Sequence, residues 1–384
     1  MRIERQNVLE LIGKNRNKYS SCIITSYTFD LSFFEERILP SLRTSNIRNI
    51  NVFVDGNSLE RTIEDVGFNA FRHHRSYSLN PIYTYGIFHP KIMLLTGPKH
   101  GLLIIGSGNI TSSGISTNDE IWGAFHINSL DSPNAPLIAD IWNYMEGFFD
   151  QANGFNKQKI NWIYHRATWV NELPRLRRNG FIKLEGDLEV AFVANTNEGS
   201  IYNRITELLP SKDLEELNII SPYFDEEASA IESLSSRFKP ASFNIITDTE
   251  FGLLPTKIPK YLKDSVPFYD WKDCIAEFDK RYNRLHAKLF QFIYSDGLEF
   301  LMLGSANATI TALGNDAKAP KNAEAGIILK RSNTTGFLSD LGISFREVNP
   351  LDVSKYPRQA YNKGDSSYGP VSYTHLRAHE TKAN

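Results

Sequence analysis

The chain carries His89-Pro90-Lys91, then Gly106-Ser107-Gly108-Asn109-Ile110-Thr111, then Asn118-Asp119-Glu120. It later carries His286-Ala287-Lys288, then Gly304-Ser305-Ala306-Asn307-Ala308-Thr309, then Asn322-Ala323-Glu324. The two strings begin 197 positions apart (286 − 89), and His to Asn spans 20 residues in the first (109 − 89) and 21 in the second (307 − 286). One such string arises by chance. Two, in matched order and nearly matched spacing, imply a duplicated unit that supplies two histidines, two lysines, two asparagines and two glutamates to a single phosphate-sized site.

The repeat extends outward from these strings. Residues 22–29 read as a buried strand, Asp30 and Ser32 as N-cap candidates for a helix through Phe33, Phe34, Ile38 and Leu42, and Ile50–Asp55 as a second strand. The same order returns with a strand over Leu217–Tyr223, a helix capped by Asp225 through Ala228, Ile231 and Leu234, and a strand over Phe243–Asp248. Strand, helix, strand with a right-handed crossover implies parallel pairing in an α/β layer. Strands over Ile82–Lys91 and Tyr282–Phe290 lead into His-x-Lys, and Leu102–Ile105 and Phe300–Leu303 lead into Gly-Ser-x-Asn. Trp122–His126 and Ala325–Lys330 follow the glutamates. Their continuous apolar character predicts sheets buried on both faces and flanked by helices.

Between the halves, Ala135–Phe149 has the period of an amphipathic helix, with Leu137, Ile138, Ile141, Trp142, Met145 and Phe148 on its apolar side. Lys157–Gly186 mixes aromatic and basic residues, and Leu188–Ala194 opens the second half. These features divide the chain into residues 1–180, residues 181–350 and a tail of Pro, Gly, Ser and Tyr over 351–384. Val371–Thr381 resembles translated sequencing-adapter read-through, so the last residues are expected to be non-native. His375 and His379 lie at i, i+4 within it and carry little weight as metal ligands.

Composition bounds the function. With 384 residues, 41% hydrophobic and 22% charged, the chain is that of a soluble globular protein of two or three domains. A net charge of −2 excludes a strongly basic whole-chain footprint for nucleic acid but leaves room for a local basic cleft. Cys22 and Cys274 form neither a disulfide framework nor a zinc motif. The start lacks the apolar stretch of a signal peptide, and no run is long enough for a membrane span, so a cytoplasmic protein without a membrane span is expected.

The doubled motif resembles the phospholipase D superfamily, whose signature is His-x-Lys, then Gly-Ser-x-Asn, usually followed by Asn-x-Glu. The resemblance covers roughly residues 20–335. It implies two similar α/β/α sandwich domains of phospholipase D-like fold, related by a pseudo-two-fold axis, with one active site at their interface. Many members also carry Asp five residues after the Lys; here Thr96 and Ile293 stand there, and Asp296 sits in a Tyr-Ser-Asp-Gly hairpin turn. That departure is more like the nuclease and tyrosyl-DNA phosphodiesterase branches than the lipid-hydrolysing one.

The residue types suit phosphodiester chemistry. Lys91, Lys288, Asn109 and Asn307 are the expected phosphate ligands, neutralising and hydrogen-bonding the non-bridging oxygens; Ser107 and Ser305 join the phosphate-binding set as residues that orient those ligands or the turn, and a structural role alone explains them as well. A neutral imidazole attacks phosphorus to give a phosphohistidine, and a protonated one donates to the leaving oxygen. Glu120 and Glu324 each hold a histidine's second nitrogen and fix its tautomer. No cofactor and no metal is required, because the lysines supply positive charge. The resemblance implies His89 as nucleophile and His286 as acid and base; near-symmetry leaves the reverse open.

Other residues have weaker claims. Arg72-His73-His74-Arg75 and Arg175, Arg177 and Arg178 are candidates for backbone phosphates, though a solvated loop or linker explains them as well. Tyr83, Tyr85, Tyr269 and Trp271 are candidates for base stacking, against a packing role. Asp55 and Asp248 end equivalent strands, where the strand-end rule would have them face the site, though turn capping is the safer reading. The leading function is a metal-independent nuclease, of restriction or defence type, acting on DNA rather than RNA and working with a partner such as a helicase or restriction complex. A phospholipid hydrolase or transferase and a non-catalytic nucleic-acid-binding subunit remain as alternatives.

Overall fold

The computed structural model describes residues 7–66, 75–175, 180–263, 265–275, 283–332, 336–353 and 356. Among these, β1 (Ser21–Ser26), β2 (Asn49–Asp55), β3 (Ser78–Ile82), β4 (Ile92–Thr96), β5 (Gly101–Gly106) and β6 (Trp122–Ile127) form one sheet in the order β3-β2-β1-β4-β5-β6. The second contains β7 (Ile182–Lys183), β8 (Glu189–Ala194), β9 (Leu214–Ile220), β10 (Ser242–Thr247), β11 (Phe268–Asp270), β12 (Leu289–Tyr294), β13 (Leu298–Gly304) and β14 (Ala325–Ser332). Its order, β11-β10-β9-β12-β13-β14-β8-β7, repeats the first sheet and adds β8 and β7 beyond β14. β1, β2 and β3 run parallel, as do β9, β10 and β11, whereas β4–β6 and β12–β14 pair antiparallel. The sheets are therefore mixed, and the parallel expectation holds only for the strand–helix–strand parts.

Local sequence explains the connections. Asp30 accepts the Phe33 amide and starts a helical run through α1 (Leu31–Phe33), a π turn at Phe34–Ile38 and α2 (Leu39–Thr44). Asp225 was expected to cap the equivalent helix, but the cap position falls at Ala228. Asp225 instead accepts from both Ala230 N and Ile310 N at 3.0 Å, tying the helix start to the segment after Gly-Ser-x-Asn. The expected strands over 82–91 and 282–290 are also shifted. The structure has β4 and β12 begin after the lysines, because the residues around each histidine pair their backbone with the opposite half, at Phe88–Ala323 and Asp119–Leu285. Residue 282 lies outside the described residues.

Alternation along the strands builds three apolar layers. Ile23, Phe53, Leu94, Leu103 and Ile105 face inward and meet Ile220, Ile246, Leu289, Leu301 and Ile327 of the second sheet. The helices at Ala135–Phe149 and Gly154–Arg166 and the turn at Thr168–Glu172 fill the same layer through Ile138, Trp142, Met145, Ile160, Ile163 and Val170. Much of the segment between the two halves is thus core. The alternate residues Cys22, Ile24, Val52, Val54, Met93 and Ile104 pack outward beneath the N-terminal helices, and Leu217, Ile219, Phe290 and Met302 do so in the second half. Each fully buried aliphatic side chain contributes roughly 1.5–3 kcal/mol, so the inter-sheet layer fixes the halves against each other. Both cysteines are free and buried. No helix among the described residues is long and apolar enough to cross a membrane.

Candidate active site

The two His-x-Lys segments are laced across the halves. His89 N donates to Ala323 O and Ala323 N to Ile87 O, both at 2.9 Å. Reciprocally, Asp119 N donates to Arg284 O at 2.9 Å and His286 N to Asp119 O at 3.0 Å. Each histidine therefore lies beside the glutamate that follows the other half's Gly-Ser-x-Asn. His89 Nδ1 is 2.8 Å from Glu324 Oε2, and His286 Nδ1 is 2.8 Å from Glu120 Oε1. The glutamates serve crossed partners, a pairing that linear order conceals.

The two pairs are not equal. His89–Glu324 is an aligned hydrogen bond between buried groups. At His286 the same separation lies off the donor axis, so Nδ1 has a close carboxylate but no aligned bond. A carboxylate only accepts, so the proton of His89 is on Nδ1 and its Nε2 carries the lone pair. The Tyr27 ring meets His89 edge-on at 5.4 Å.

Behind each imidazole the carboxylate is held in the same way. Ser107 Oγ donates to Glu120 Oε2 at 2.5 Å and Asn118 Nδ2 to Oε1 at 3.4 Å. Ser305 Oγ donates to Glu324 Oε2, and Asn322 Nδ2 to Oε1 at 3.1 Å. The hydroxyls also accept Ile121 N and Ala325 N at 3.0 Å. Both serines are fully buried. The geometry places them behind the histidines as holders of the glutamates. The glycine before each serine is needed for close approach: a Cβ on Gly106 would lie 2.0 Å from Ile121 O, and one on Gly304 2.5 Å from Ala325 O.

A second pair of carboxylates holds the backbone. Asp55 Oδ2 accepts Phe88 N at 2.8 Å, and Asp248 Oδ2 accepts Leu285 N at 2.9 Å; each amide belongs to the residue just before a histidine. Their other oxygens cap turns at Ser58 N (2.9 Å) and at Glu250 N and Phe251 N (3.0 and 2.9 Å). The capping expectation accounts for half of what these residues do. The signal for the rest was their matched place at the ends of equivalent strands.

Lys91 and Lys288 are buried, their ammonium groups donating to the carbonyls of His89 and His286. Burial pushes Lys91 well below the usual lysine range, opposed by Glu324 and reinforced by Lys288. Burial also lowers Lys288 to about 7, opposed by Glu120 and Glu324. Burial lowers His89 and His286 to about 4 against the pull of Glu324 and Glu120, with the lysines adding to the fall. Burial would raise both glutamates, but the facing histidine, with further lowering from lysine and serine, holds each below the usual value. Burial thus favours the neutral form of both imidazoles and weakens the hold of both lysines on their protons, while the two carboxylates stay ionised.

The asparagines differ. Asn109 Oδ1 accepts Tyr27 N at 3.3 Å. The equivalent neighbour in the second half is Pro222, which has no N–H, and Asn307 Oδ1 is buried without a partner. Of the weaker candidates, Trp271 is buried and donates to Asp119 Oδ2 at 2.8 Å, and Tyr269 is buried against Phe345. Neither is a stacking platform. Tyr83 and Tyr85 are exposed, on the loop leading to His89. Arg175 pairs with Glu146, and Arg75 is exposed. Arg72, His73, His74, Arg177, Arg178, His375 and His379 lie outside the described residues. Thr96 is buried at the end of β4, and Asp296 closes the β12–β13 turn by accepting Leu298 N at 3.0 Å. Among the described residues, no group of three or more His, Cys, Asp or Glu is gathered as a metal site.

No family model matches the sequence, and no curated protein matches it. Solved structures do. One of yeast tyrosyl-DNA phosphodiesterase aligns at 14% identity over 90% of this chain and 94% of that chain, with a TM-score of 0.52. A histidine-to-asparagine variant of that enzyme aligns at 14% identity over 83% of this chain and 86% of that one, also at 0.52. At such identity the likeness concerns architecture, and it agrees with the duplicated sheets and the crossed motifs: the chain has the phospholipase D-like fold, two similar α/β domains facing each other.

Proposed function

We propose that the chain is a phosphodiesterase of the phospholipase D superfamily that hydrolyses nucleic-acid phosphodiesters through a phosphohistidine. The observation that carries this reading is the crossed pair of carboxylate-held histidines beside two buried lysines. Nucleic acid as the substrate class is supported by the yeast enzyme's name, tyrosyl-DNA phosphodiesterase, and by the absence of an apolar spanning helix among the described residues.

The steps follow from the protonation states. A phosphodiester anion favours the charged form of Lys91 and Lys288, which neutralise it, and Asn109 and Asn307 add hydrogen bonds at the non-bridging oxygens. His89, held by Glu324 with Nδ1 protonated, attacks phosphorus through Nε2, forming a P–N bond as the P–O bond breaks. The negative charge of the bound phosphate favours protonated His286, which gives its proton to the leaving oxygen. His286 then takes a proton from water, which attacks phosphorus and releases the phosphomonoester and neutral His89. The aligned Glu324 bond supports His89 as nucleophile, and the looser Glu120 contact suits a ring that must exchange protons. The domains proposed for this assembly are residues 1–180 and 181–350, with a tail over 351–384. A restriction or defence role with a helicase-like partner fits a chain that lacks a strongly basic whole-chain charge.

The test is cleavage of labelled single- and double-stranded DNA and RNA in EDTA by wild type, His89→Ala and His286→Ala. EDTA-resistant cleavage lost in both variants supports the reading. Cleavage that survives both substitutions rejects it.

A further inference from the structure

Arg284 breaks the symmetry of the site. It stands two residues before His286, where the first half has Ile87 two residues before His89. The positions are equivalent in backbone terms, since Ile87 O accepts Ala323 N and Arg284 O accepts Asp119 N. The side chains are not. The Arg284 guanidinium donates to Tyr223 Oη and lies over the Phe251 ring at 5.5 Å. Tyr223 follows Ser221, whose hydroxyl accepts Ala308 N beside Asn307. Arg284 therefore ties the His286–Lys288 segment to the residues after β9, whose Ser221 meets the amide of the residue following Asn307.

Its chemistry is unfinished. The guanidinium Nε is buried without a partner, and among the described residues no carboxylate forms an ion pair with Arg284. Its positive charge reaches Lys288, whose proton affinity it lowers. An arginine anchored by a tyrosine and an aromatic ring but left without an anion is arranged for an anion that arrives with the substrate. The scissile phosphate already has two lysines and two asparagines.

We propose that Arg284 binds a second phosphate, adjacent to the scissile one on the His286 side, so that the preferred substrate is a strand with consecutive phosphodiesters rather than an isolated diester. The inference rests on the phosphodiesterase reading and deepens it. It makes the two half-sites unequal: the leaving portion of the strand, on the side of the proton donor, is the portion gripped. Ile87 offers no such contact on the other side.

The test compares wild type with Arg284→Gln and Arg284→Lys on a labelled single-stranded oligonucleotide and on bis(p-nitrophenyl) phosphate, which has one phosphate. The expected result is a loss of kcat/KM on the oligonucleotide at least tenfold greater than on the small diester, with Arg284→Lys intermediate. Equal losses on both would overturn the proposal, because an effect exerted through Lys288 or through misfolding does not distinguish them. A second arm measures oligonucleotide binding in the His89→Ala background. Adding Arg284→Gln should weaken it about tenfold and reduce the slope of log K against log salt by about 0.7, one phosphate contact on a single strand. An unchanged slope would overturn the proposal. If wild type hydrolyses neither ester, the phosphodiesterase reading fails, and the binding arm still decides whether Arg284 holds a phosphate.

Discussion

The imidazole of His89 is held by the carboxylate of Glu324, 235 residues further along the chain, while Glu120 faces His286. Neither half contains a complete histidine–carboxylate pair, so the site exists only when the two sheets dock. Removal of Glu324 should therefore act on the histidine of the other half. Glu324→Gln is expected to lower kcat on the order of 100-fold, the effect of losing tautomer control. Glu120→Gln, whose partner bond is not aligned, should lower it less. Steady-state kinetics checks the order; a larger loss at Glu120 would mean that His286, not His89, depends on a fixed tautomer.

Asp55 and Asp248 should matter through the backbone they hold. Asp55→Ala leaves the buried Phe88 amide without an acceptor, a penalty of about 1–3 kcal/mol. The urea midpoint should fall accordingly, and kcat should drop about tenfold while KM changes little. Asp248→Ala should behave alike at Leu285. A variant that loses stability with unchanged kcat would reduce these residues to turn caps.

Anion affinity should depend on pH through the lysines. Burial lowers Lys288 to about 7 and Lys91 well below its ordinary value. Only protonated lysine attracts an anion, so sulfate, which does not itself titrate in this range, should bind tightly at pH 6 and about tenfold or more weakly at pH 8.5. Calorimetry in buffers of different ionisation enthalpy should also show proton uptake on binding. Equal affinity at both pH values would mean that the lysines stay charged in the empty site.

Stability should fall on mild acidification. His89 and His286 are lowered by burial from 6.5 to about 4. Between those values the unfolded chain binds protons that the folded site refuses, so stability is lost as pH falls, by up to roughly 3 kcal/mol per ring. The depressed Glu120 and Glu324 add to the loss as pH falls further, below their unfolded value of 4.5. Urea midpoints at pH 7 and pH 5 should differ for wild type, and the difference should shrink in a His89→Gln, His286→Gln double variant. Identical pH dependence in the two proteins would contradict burial of neutral imidazoles.

The sequence made the duplicated strands legible because their apolar runs follow the strand period without interruption: Leu102–Ile105 lies within β5, and Ala325–Lys330 within β14. It also exposed the histidines, lysines and glutamates, since two matched strings are visible without a fold. It failed around the histidines themselves, where the backbone pairs between halves and strand periodicity carries no information about a partner some 200 residues away. It left the partners of Ser107 and Ser305 open for the same reason, because a hydroxyl's neighbours depend on which face of the turn is buried. The roles of Pro222 and Arg284 are differences between the copies, and a search for repeats discards differences.

The most direct measurement is a covalent trap. A nucleoside p-nitrophenyl phosphate has a leaving group that departs without a proton donor, so His286→Ala should form the P–N bond and fail to hydrolyse it. Mass spectrometry at alkaline pH should then find the nucleotidyl group on the peptide containing His89, and none in His89→Ala. An adduct on His286 would reverse the assignment. Full turnover by a variant lacking both histidines, with no adduct, would contradict the paired-histidine account itself.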